Sequence, residues 1–279
     1  MTRFRIRLSL FPVLLLAAAG CGGQRPSAVT VKGSDTMVIL GQRWAETYMA
    51  SHPGAPIQVT GGGSGTGIAA LINGTTEICQ ASRPMKDEER KQIADKYGRE
   101  VTEIVVARDG LAIYVAETNP VAELTLGQLR DIYTGTITDW SQVGGPKAPI
   151  TLYGRENSSG TYEYFKEHVL EKADFAAAVQ TLPGTAAVVN AVAKDPGGVG
   201  YGGAAYAKGV KEVAVKRDAD TPGVLPKEAA IRDGSYPISR DLYFYLRGEP
   251  QGAAKRFIDY VLSAEGQKLV TEVGYFPVR

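Results

Sequence analysis

Segments typical of β-strands alternate with segments typical of helices along most of the chain. Residues 57–60, 101–107 and 111–116 are rich in β-branched or apolar side chains and predict three strands. Residues 37–51 carry apolar side chains at helical spacing, and residues 253–273 predict a closing pair of helices. Such alternation predicts an α/β architecture with mostly parallel sheets, in which ligands bind where strands lead into helix N-termini.

Polar loops follow several of the predicted strands. Residues 32–36 carry hydroxyl and carboxyl side chains, and residues 60–67 contain five glycines, whose N–H groups can face a ligand unobstructed. Residues 154–161 combine an arginine, three hydroxyl side chains and a predicted helix N-terminus, which suits a tetrahedral oxyanion. The alternative for each loop is a turn that only caps the next helix.

Catalytic and cofactor motifs are weak in these loops. Residues 60–67 lack the Gly-Lys-Ser/Thr ending of a P-loop, and Ser64 is not in a Gly-x-Ser-x-Gly pattern. Residues 65–70 fit a loose dinucleotide fingerprint, but no acidic strand end follows about 20 residues later. Two histidines and two cysteines offer little basis for a zinc site, a disulfide framework or nucleophilic catalysis. The sequence therefore predicts binding without catalysis, with no cofactor and no metal ion.

The charge balance excludes one class of partner. The chain has 31 Lys and Arg against 30 Asp and Glu, a formal charge of +1, so nothing indicates nucleic-acid binding. Without residues 1–20, which carry three arginines and no acid, 28 basic and 30 acidic residues give −2. Any bound anion must therefore be held by local donors rather than by bulk charge.

The N-terminus resembles a bacterial lipoprotein signal peptide over residues 1–20. Basic residues precede a 12-residue apolar run at 8–19, which is too short to span a bilayer. Small residues then precede Cys21, although Ala18 replaces the more usual leucine three positions before it. The resemblance implies that Cys21 is lipidated and that residues 21–28 form a tether to the membrane. The alternative is ordinary cleavage nearby, with Cys21 a plain thiol.

Several motifs together resemble the PstS family of phosphate-binding proteins, the receptors of phosphate ABC importers. They are residues 33–36, 61–67, 81–84, 137–140, 154–161 and 236–240, and the resemblance runs from about Val29 to the C-terminus. It implies a two-lobed type II periplasmic-binding-protein fold, with lobe one at 29–108 plus 236–279 and lobe two at 109–235. Each lobe is expected to be a mostly parallel sheet flanked by helices, and two strands are expected to form the hinge.

The resemblance also implies the ligand and its partners. The expected protein is a monomeric extracytoplasmic receptor that traps inorganic phosphate between its lobes and delivers it to a membrane permease, with high affinity. The residues implied to bind phosphate are Ser34, Asp35, Thr36, Ser64, Gly65, Arg83, Arg155, Ser158, Ser159, Gly160 and Thr161. Asn157 stands where some family members have an aspartate that pairs with the loop arginine, so Arg155 is expected to keep more of its charge for the ligand.

One departure from the family concerns selectivity. Arg83 stands where other members have an aspartate that accepts the proton of phosphate and excludes sulfate. We expect Asp35 to take over this acceptor role, the alternative being that Asp35 only caps a helix. Arg83 is then expected to be a second phosphate cation or a partner of Asp35, the alternative being a surface arginine. Glu156 is expected to point away from the ligand.

Two other functions remain open from the sequence. A receptor for another tetrahedral oxyanion, such as sulfate, molybdate or tungstate, would use the same donors but not the acceptor carboxylate. A secreted phosphatase would need a metal cluster or a nucleophile–base pair, and the sequence indicates neither.

Overall fold

The computed structural model describes residues 28–278. The signal peptide predicted for residues 1–20, the predicted lipidation site Cys21 and most of the predicted tether lie outside the described residues. Within residues 28–278, the strands are β1 (Val29–Gly33), β2 (Ile57–Thr60), β3 (Ile78–Ala81), β4 (Val101–Val115), β5 (Glu123–Thr125), β6 (Thr151–Arg155), β7 (Gln180–Leu182), β8 (Gly198–Gly203), β9 (Lys211–Lys216) and β10 (Ser239–Arg247).

Helices follow most of these strands. They are α1 (Val38–Ser51), α2 (Ser64–Asn73), α3 (Asp87–Tyr97), α4 (Leu126–Thr134), α5 (Gly160–His168), α6 (Gly184–Lys194), α7 (Glu228–Arg232), α8 (Gly252–Val261) and α9 (Ala264–Val273). Short 3₁₀ helices cover Asp35–Met37, Trp140–Val143 and Ala204–Tyr206. In the described part of the chain, no helix has the length and hydrophobicity needed to cross a membrane.

The strands form one continuous curled arrangement with the order β2-β1-β3-β10-β4-β8-β6-β7, and β9 joins β5 to β4. β1 runs parallel to β2 and β3, β6 runs parallel to β7 and β8, and β5 runs parallel to β9. Each antiparallel pairing involves β4 or β10. Two mostly parallel groups are thus joined through two long antiparallel strands.

Two large hydrophobic cores lie on either side of this junction. One packs around the buried Trp44 and Phe257, and the other around the buried Trp140 and Phe165. Along β4, Val106 and Ala107 belong to the first core, and Leu111 is the first residue that belongs to the second. The strand therefore changes cores where the hinge is expected, although the lobe boundaries at 108/109 and 235/236 stay predictions.

β4 differs from the sequence expectation. Two strands were expected, over residues 101–107 and 111–116, because Arg108, Asp109 and Gly110 interrupt the apolar pattern. The structure has one 15-residue strand, since β10 continues the ladder past the interruption and pairs Asp109 with Arg240. A charge from a neighbouring strand compensates the buried acid, so the polar residues do not end the strand.

Candidate anion-binding site

The first loop starts at the carboxyl end of β1 with a close backbone approach. Gly33 has φ +144°, and a Cβ there would lie 2.1 Å from the carbonyl oxygen of Gln80, so only glycine fits. The N–H of Ser34 donates to the same oxygen at 2.8 Å. These contacts fix β1 against β3, and the buried Ser34 hydroxyl donates to the Ser82 hydroxyl at 2.9 Å.

The second loop leads into α2 and also contacts Ser82. The Ser64 hydroxyl is buried at the first residue of α2, and it accepts the N–H of Ser82 at 3.0 Å. The Gly65 N–H donates to the carbonyl of Ser158 at 2.9 Å, and the Ser158 hydroxyl donates to the carbonyl of Gly62 at 3.2 Å. The second and third loops, predicted from separate parts of the sequence, are therefore in direct contact.

The third loop leads into α5 and meets the other two. Ser159 caps this helix, because its hydroxyl accepts the N–H groups of Thr161 and Tyr162 at 3.2 and 3.3 Å. The hydroxyls of Thr161 and Thr36 are 2.9 Å apart. One group of buried hydroxyls, called the hydroxyl cluster below, thus contains Ser34, Thr36, Ser64, Ser82 and Thr161.

Arg155 provides a buried positive charge beside this cluster. Its side chain is 1% exposed, and its terminal nitrogens donate to Asp35 at 2.8 Å and to Thr185 at 2.9 Å. Its Nε donates to Glu156 at 3.1 Å. Asn157 is exposed and neutral, which led us to expect that Arg155 keeps more of its charge for the ligand. Instead, Asp35 and Glu156 pair with the guanidinium. The arginine is held by two carboxylates from different parts of the chain.

Glu156 also differs from the expectation. It was expected to point away from the ligand as the next residue of an extended chain, yet its carboxylate turns back onto the Arg155 guanidinium. Burial raises the pKa of Glu156, but the hydrogen bond and charge of Arg155 outweigh it and hold this pKa below its usual value. The ion pair, rather than strand alternation, sets the direction of this side chain.

Asp35 is not a helix cap. Its carboxylate accepts the Gly62 N–H at 2.7 Å and the Arg155 guanidinium at 2.8 Å, and it makes no capping hydrogen bond to its own 3₁₀ helix. The capping alternative is therefore wrong. Asp35 links the first, second and third loops, while its role toward a phosphate proton stays a prediction.

Arg83 does not pair with Asp35, which was one of the two roles expected for it. Its terminal nitrogens donate to Glu89 at 2.8 and 2.7 Å, and its Nε lies 2.5 Å from a carboxylate oxygen of Glu163 on α5. Lys86 also pairs with Glu163. Arg83 is buried, so it is not a surface arginine either. These ion pairs connect the segment after β3 with α5, and a contact of Arg83 with phosphate stays a prediction.

Three residues that the structure brings to the cluster were not among the residues implied to bind phosphate: Ser82, Asp109 and Arg240. Ser82 and Arg240 lie in the family motifs at 81–84 and 236–240, without an expected role in the site. Ser82 follows β3 at the same sheet edge as the first loop, so its position after a strand could have identified it. Asp109 is fully buried on β4, and Arg240 faces it from β10. The sequence signal for this pair was Asp109 inside a largely apolar segment. A buried carboxylate needs a partner, so a basic residue was to be expected opposite it.

The arrangement suits anion binding. Hydroxyls and a buried guanidinium converge from strands that lie on both sides of the junction. Across residues 28–278, no three His, Cys, Asp or Glu side chains are grouped to hold a metal ion. Together with these loops, the fold is that of the type II periplasmic binding proteins.

Comparisons with known proteins identify the family. A family model described as a PBP superfamily domain matches residues 22–265. The chain is 37% identical over 278 residues to the phosphate-binding protein PstS of Pseudomonas aeruginosa, covering 94% of this chain and 85% of that protein. It is 32% identical over 290 residues to PstS of Bacillus subtilis, covering 98% and 93%. The chain belongs to the PstS family of the PBP superfamily, and these relatives are named as binding proteins rather than enzymes.

Solved structures agree with the fold. A Clostridium perfringens protein assigned as a phosphate ABC transporter substrate-binding protein, with bound phosphate, matches with a TM-score of 0.81 and 31% identity. The match covers 91% of this chain and 100% of that chain. A phosphate transport receptor from Vibrio cholerae matches with a TM-score of 0.72 and 29% identity, covering 89% and 99%. The expected α/β fold of type II periplasmic binding proteins is confirmed.

Proposed function

We propose that this protein is an extracytoplasmic receptor that binds inorganic phosphate and delivers it to the permease of an ABC importer. The observation that carries the proposal is the convergence of Arg155 and the hydroxyl cluster in a chain of the PstS family. Phosphate would accept hydrogen bonds from these groups, with Arg155 supplying the charge. Asp35 and Glu156 hold the guanidinium in place.

The loops that would bind phosphate belong to both proposed lobes. Ser34, Thr36 and Ser64 lie in residues 29–108, whereas Arg155 and Thr161 lie in residues 109–235. Phosphate between them would be contacted from both sides, so binding would favour the closed arrangement of the lobes. The ion pairs of Glu163 with Arg83 and Lys86 join the same two lobes and would stabilise that arrangement.

Calorimetric titration of the detergent-solubilised full chain with inorganic phosphate tests the function. We expect one phosphate per chain and far weaker binding of sulfate, molybdate and tungstate. Equal or tighter binding of one of those anions would identify that anion, rather than phosphate, as the ligand. The absence of heat with phosphate and with all three other anions would contradict an oxyanion receptor. Release of phosphate from a phosphomonoester would instead favour the phosphatase alternative.

Asp35 is expected to contribute to the choice between phosphate and sulfate. Phosphate near neutral pH has a proton to donate and sulfate has none, so a nearby carboxylate accepts from the first and repels the second. Asp35→Asn should weaken phosphate binding and reduce the exclusion of sulfate, measured as competition of sulfate against labelled phosphate. Asp131→Asn is the comparison and should leave the competition unchanged, because Asp131 pairs with the exposed Arg130 on α4 and not with Arg155. Identical sulfate competition in Asp35→Asn and the parent would rule out Asp35 as the discriminating acceptor.

Cys21 is expected to anchor the protein. If Cys21 is acylated, the parent should partition into detergent on phase separation, and Cys21→Ala should move most of the protein to the aqueous phase. Cys79→Ala is the matched control. Cys79 is fully buried in the described part of the chain, so its substitution should leave the partition unchanged. Equal partition of the Cys21→Ala variant and the parent would contradict the lipoprotein proposal.

A further inference from the structure

Asp109 and Arg240 form a buried ion pair at the junction of the two cores. They face each other across β4 and β10, and their side chains are 0% and 2% exposed. The Nε and one terminal nitrogen of Arg240 donate to the same Asp109 oxygen at 3.1 and 2.8 Å. Removing two charges from water costs free energy that their mutual attraction often fails to recover, so stability alone is a poor reason for the pair.

The remaining donors of Arg240 point at the hydroxyl cluster. One terminal nitrogen donates to the carbonyl of Ser82 at 3.1 Å. The other lies 3.1 Å from the Thr161 hydroxyl oxygen and 3.5 Å from that of Thr36. Arg240 therefore contacts one hydroxyl from each proposed lobe, while its hydrogen bonds to the Asp109 carboxylate fix the orientation of the guanidinium.

The chemistry of the two groups fixes the direction of these hydrogen bonds. A guanidinium has five donors and no acceptor, whereas a hydroxyl has one donor hydrogen and two lone pairs. A threonine hydroxyl in contact with Arg240 must therefore accept from it and place its own hydrogen elsewhere. At 2.9 Å from each other, Thr36 and Thr161 can satisfy only one of these hydrogens between themselves.

We propose that Arg240, oriented by Asp109, is a positioning residue of the anion site: because Thr36 and Thr161 accept from it, the one hydroxyl hydrogen that they do not share with each other is turned toward the bound anion. This inference rests on the proposed phosphate-binding function. Both hydroxyls are then donors, one to the other threonine and one to an oxygen of the anion. The buried guanidinium also places a second positive charge next to the cluster. Arg155 and Arg240 thus act differently, the first as the predicted anion contact and the second through two hydroxyls.

The test compares Arg240→Gln with a neighbouring pair on the same two strands. Arg108 and Asp241 face each other one residue away from Asp109 and Arg240, but their side chains are 43% and 40% exposed. Phosphate affinity should fall about tenfold or more in Arg240→Gln, as expected for losing hydrogen bonds from a charged donor, and stay unchanged in Arg108→Gln. Circular dichroism and thermal unfolding check that each variant is folded.

A second arm separates positioning from general support of the fold. In the Thr36→Val/Thr161→Val background the hydroxyls are gone, so Arg240→Gln should reduce phosphate affinity much less than it does in the parent. Arg240→Lys keeps a positive charge but lacks the planar fork, and it should show a smaller loss with the same dependence on the threonines. This variant replaces Arg240→Gln in the comparison if the latter does not fold.

The outcomes distinguish the inference from the function on which it rests. Failure of the parent to bind phosphate would overturn the proposed function and this inference together. A parent that binds phosphate, with Arg240 variants that bind it equally well, would overturn the inference alone. Equal losses in the parent and the valine background would show that Arg240 does not act through the two hydroxyls, which also overturns it.

Discussion

Replacing Arg155 by alanine is expected to weaken phosphate binding by roughly 2–5 kcal/mol, the range found when one member of a buried charge pair is removed. The side chain is 1% exposed, so its charge acts in a setting with little screening by water. The variant also leaves Asp35 and Glu156 without their common partner, which adds negative charge near the anion. Calorimetric titration with phosphate measures the loss.

An exposed arginine provides the control for this substitution. Arg130 on α4 also pairs with two carboxylates, those of Asp131 and Glu171, but its side chain is 39% exposed. Arg130→Ala should leave phosphate affinity unchanged, because surface ion pairs contribute little and the partners of Arg130 are not residues of the hydroxyl cluster. Phosphate affinity that is the same in Arg155→Ala as in the parent would place the anion elsewhere in the protein.

The sequence was informative where function depends on local chain chemistry. Residues 33–36 and 154–161 carry glycine, hydroxyl and capping residues directly after β-prone segments, and such loops must lie at the carboxyl edge of a sheet. The position of each loop at a sheet edge was therefore predictable from the local sequence, whereas the meeting of the two loops was implied only by the family resemblance. The helix bounds also agree within a few residues, as for α1, expected at 37–51 and found at Val38–Ser51.

Contacts between distant parts of the chain could not be predicted in the same way. Asp109 and Arg240 are 131 residues apart, and only the pairing of β4 with β10 places one opposite the other. Likewise, Arg83 pairs with Glu163 on α5, which the local sequence around Arg83 does not reveal. Tertiary packing sets the partner of a charged side chain. The sequence therefore did not reveal the pairing of Arg83 with Glu163 or of Arg155 with Asp35.

Gly160→Ala is expected to weaken phosphate binding at least tenfold by holding the proposed lobes apart, since overpacking a close contact costs about 1–3 kcal/mol. A Cβ at Gly160 would lie 2.3 Å from the Ser64 hydroxyl oxygen and 2.9 Å from that of Ser82. Gly160 begins α5, whereas the two serines belong to the other proposed lobe. The added methyl group therefore blocks closure by contact alone. The backbone at Gly160 is helical, so alanine itself causes no backbone strain there.

Gly127→Ala provides a matched control within another first helical turn. A Cβ at Gly127 in α4 would meet only the Thr125 hydroxyl, at 3.8 Å, which is an ordinary contact. Alanine favours helix more than glycine does, so this variant should bind phosphate normally and unfold at the same or a slightly higher temperature. Gly160→Ala should also keep its unfolding temperature without phosphate, because the lobes can separate, but gain less stability than the parent when phosphate is added. An equal gain in the two proteins would show that Gly160 is not needed for closure around the anion.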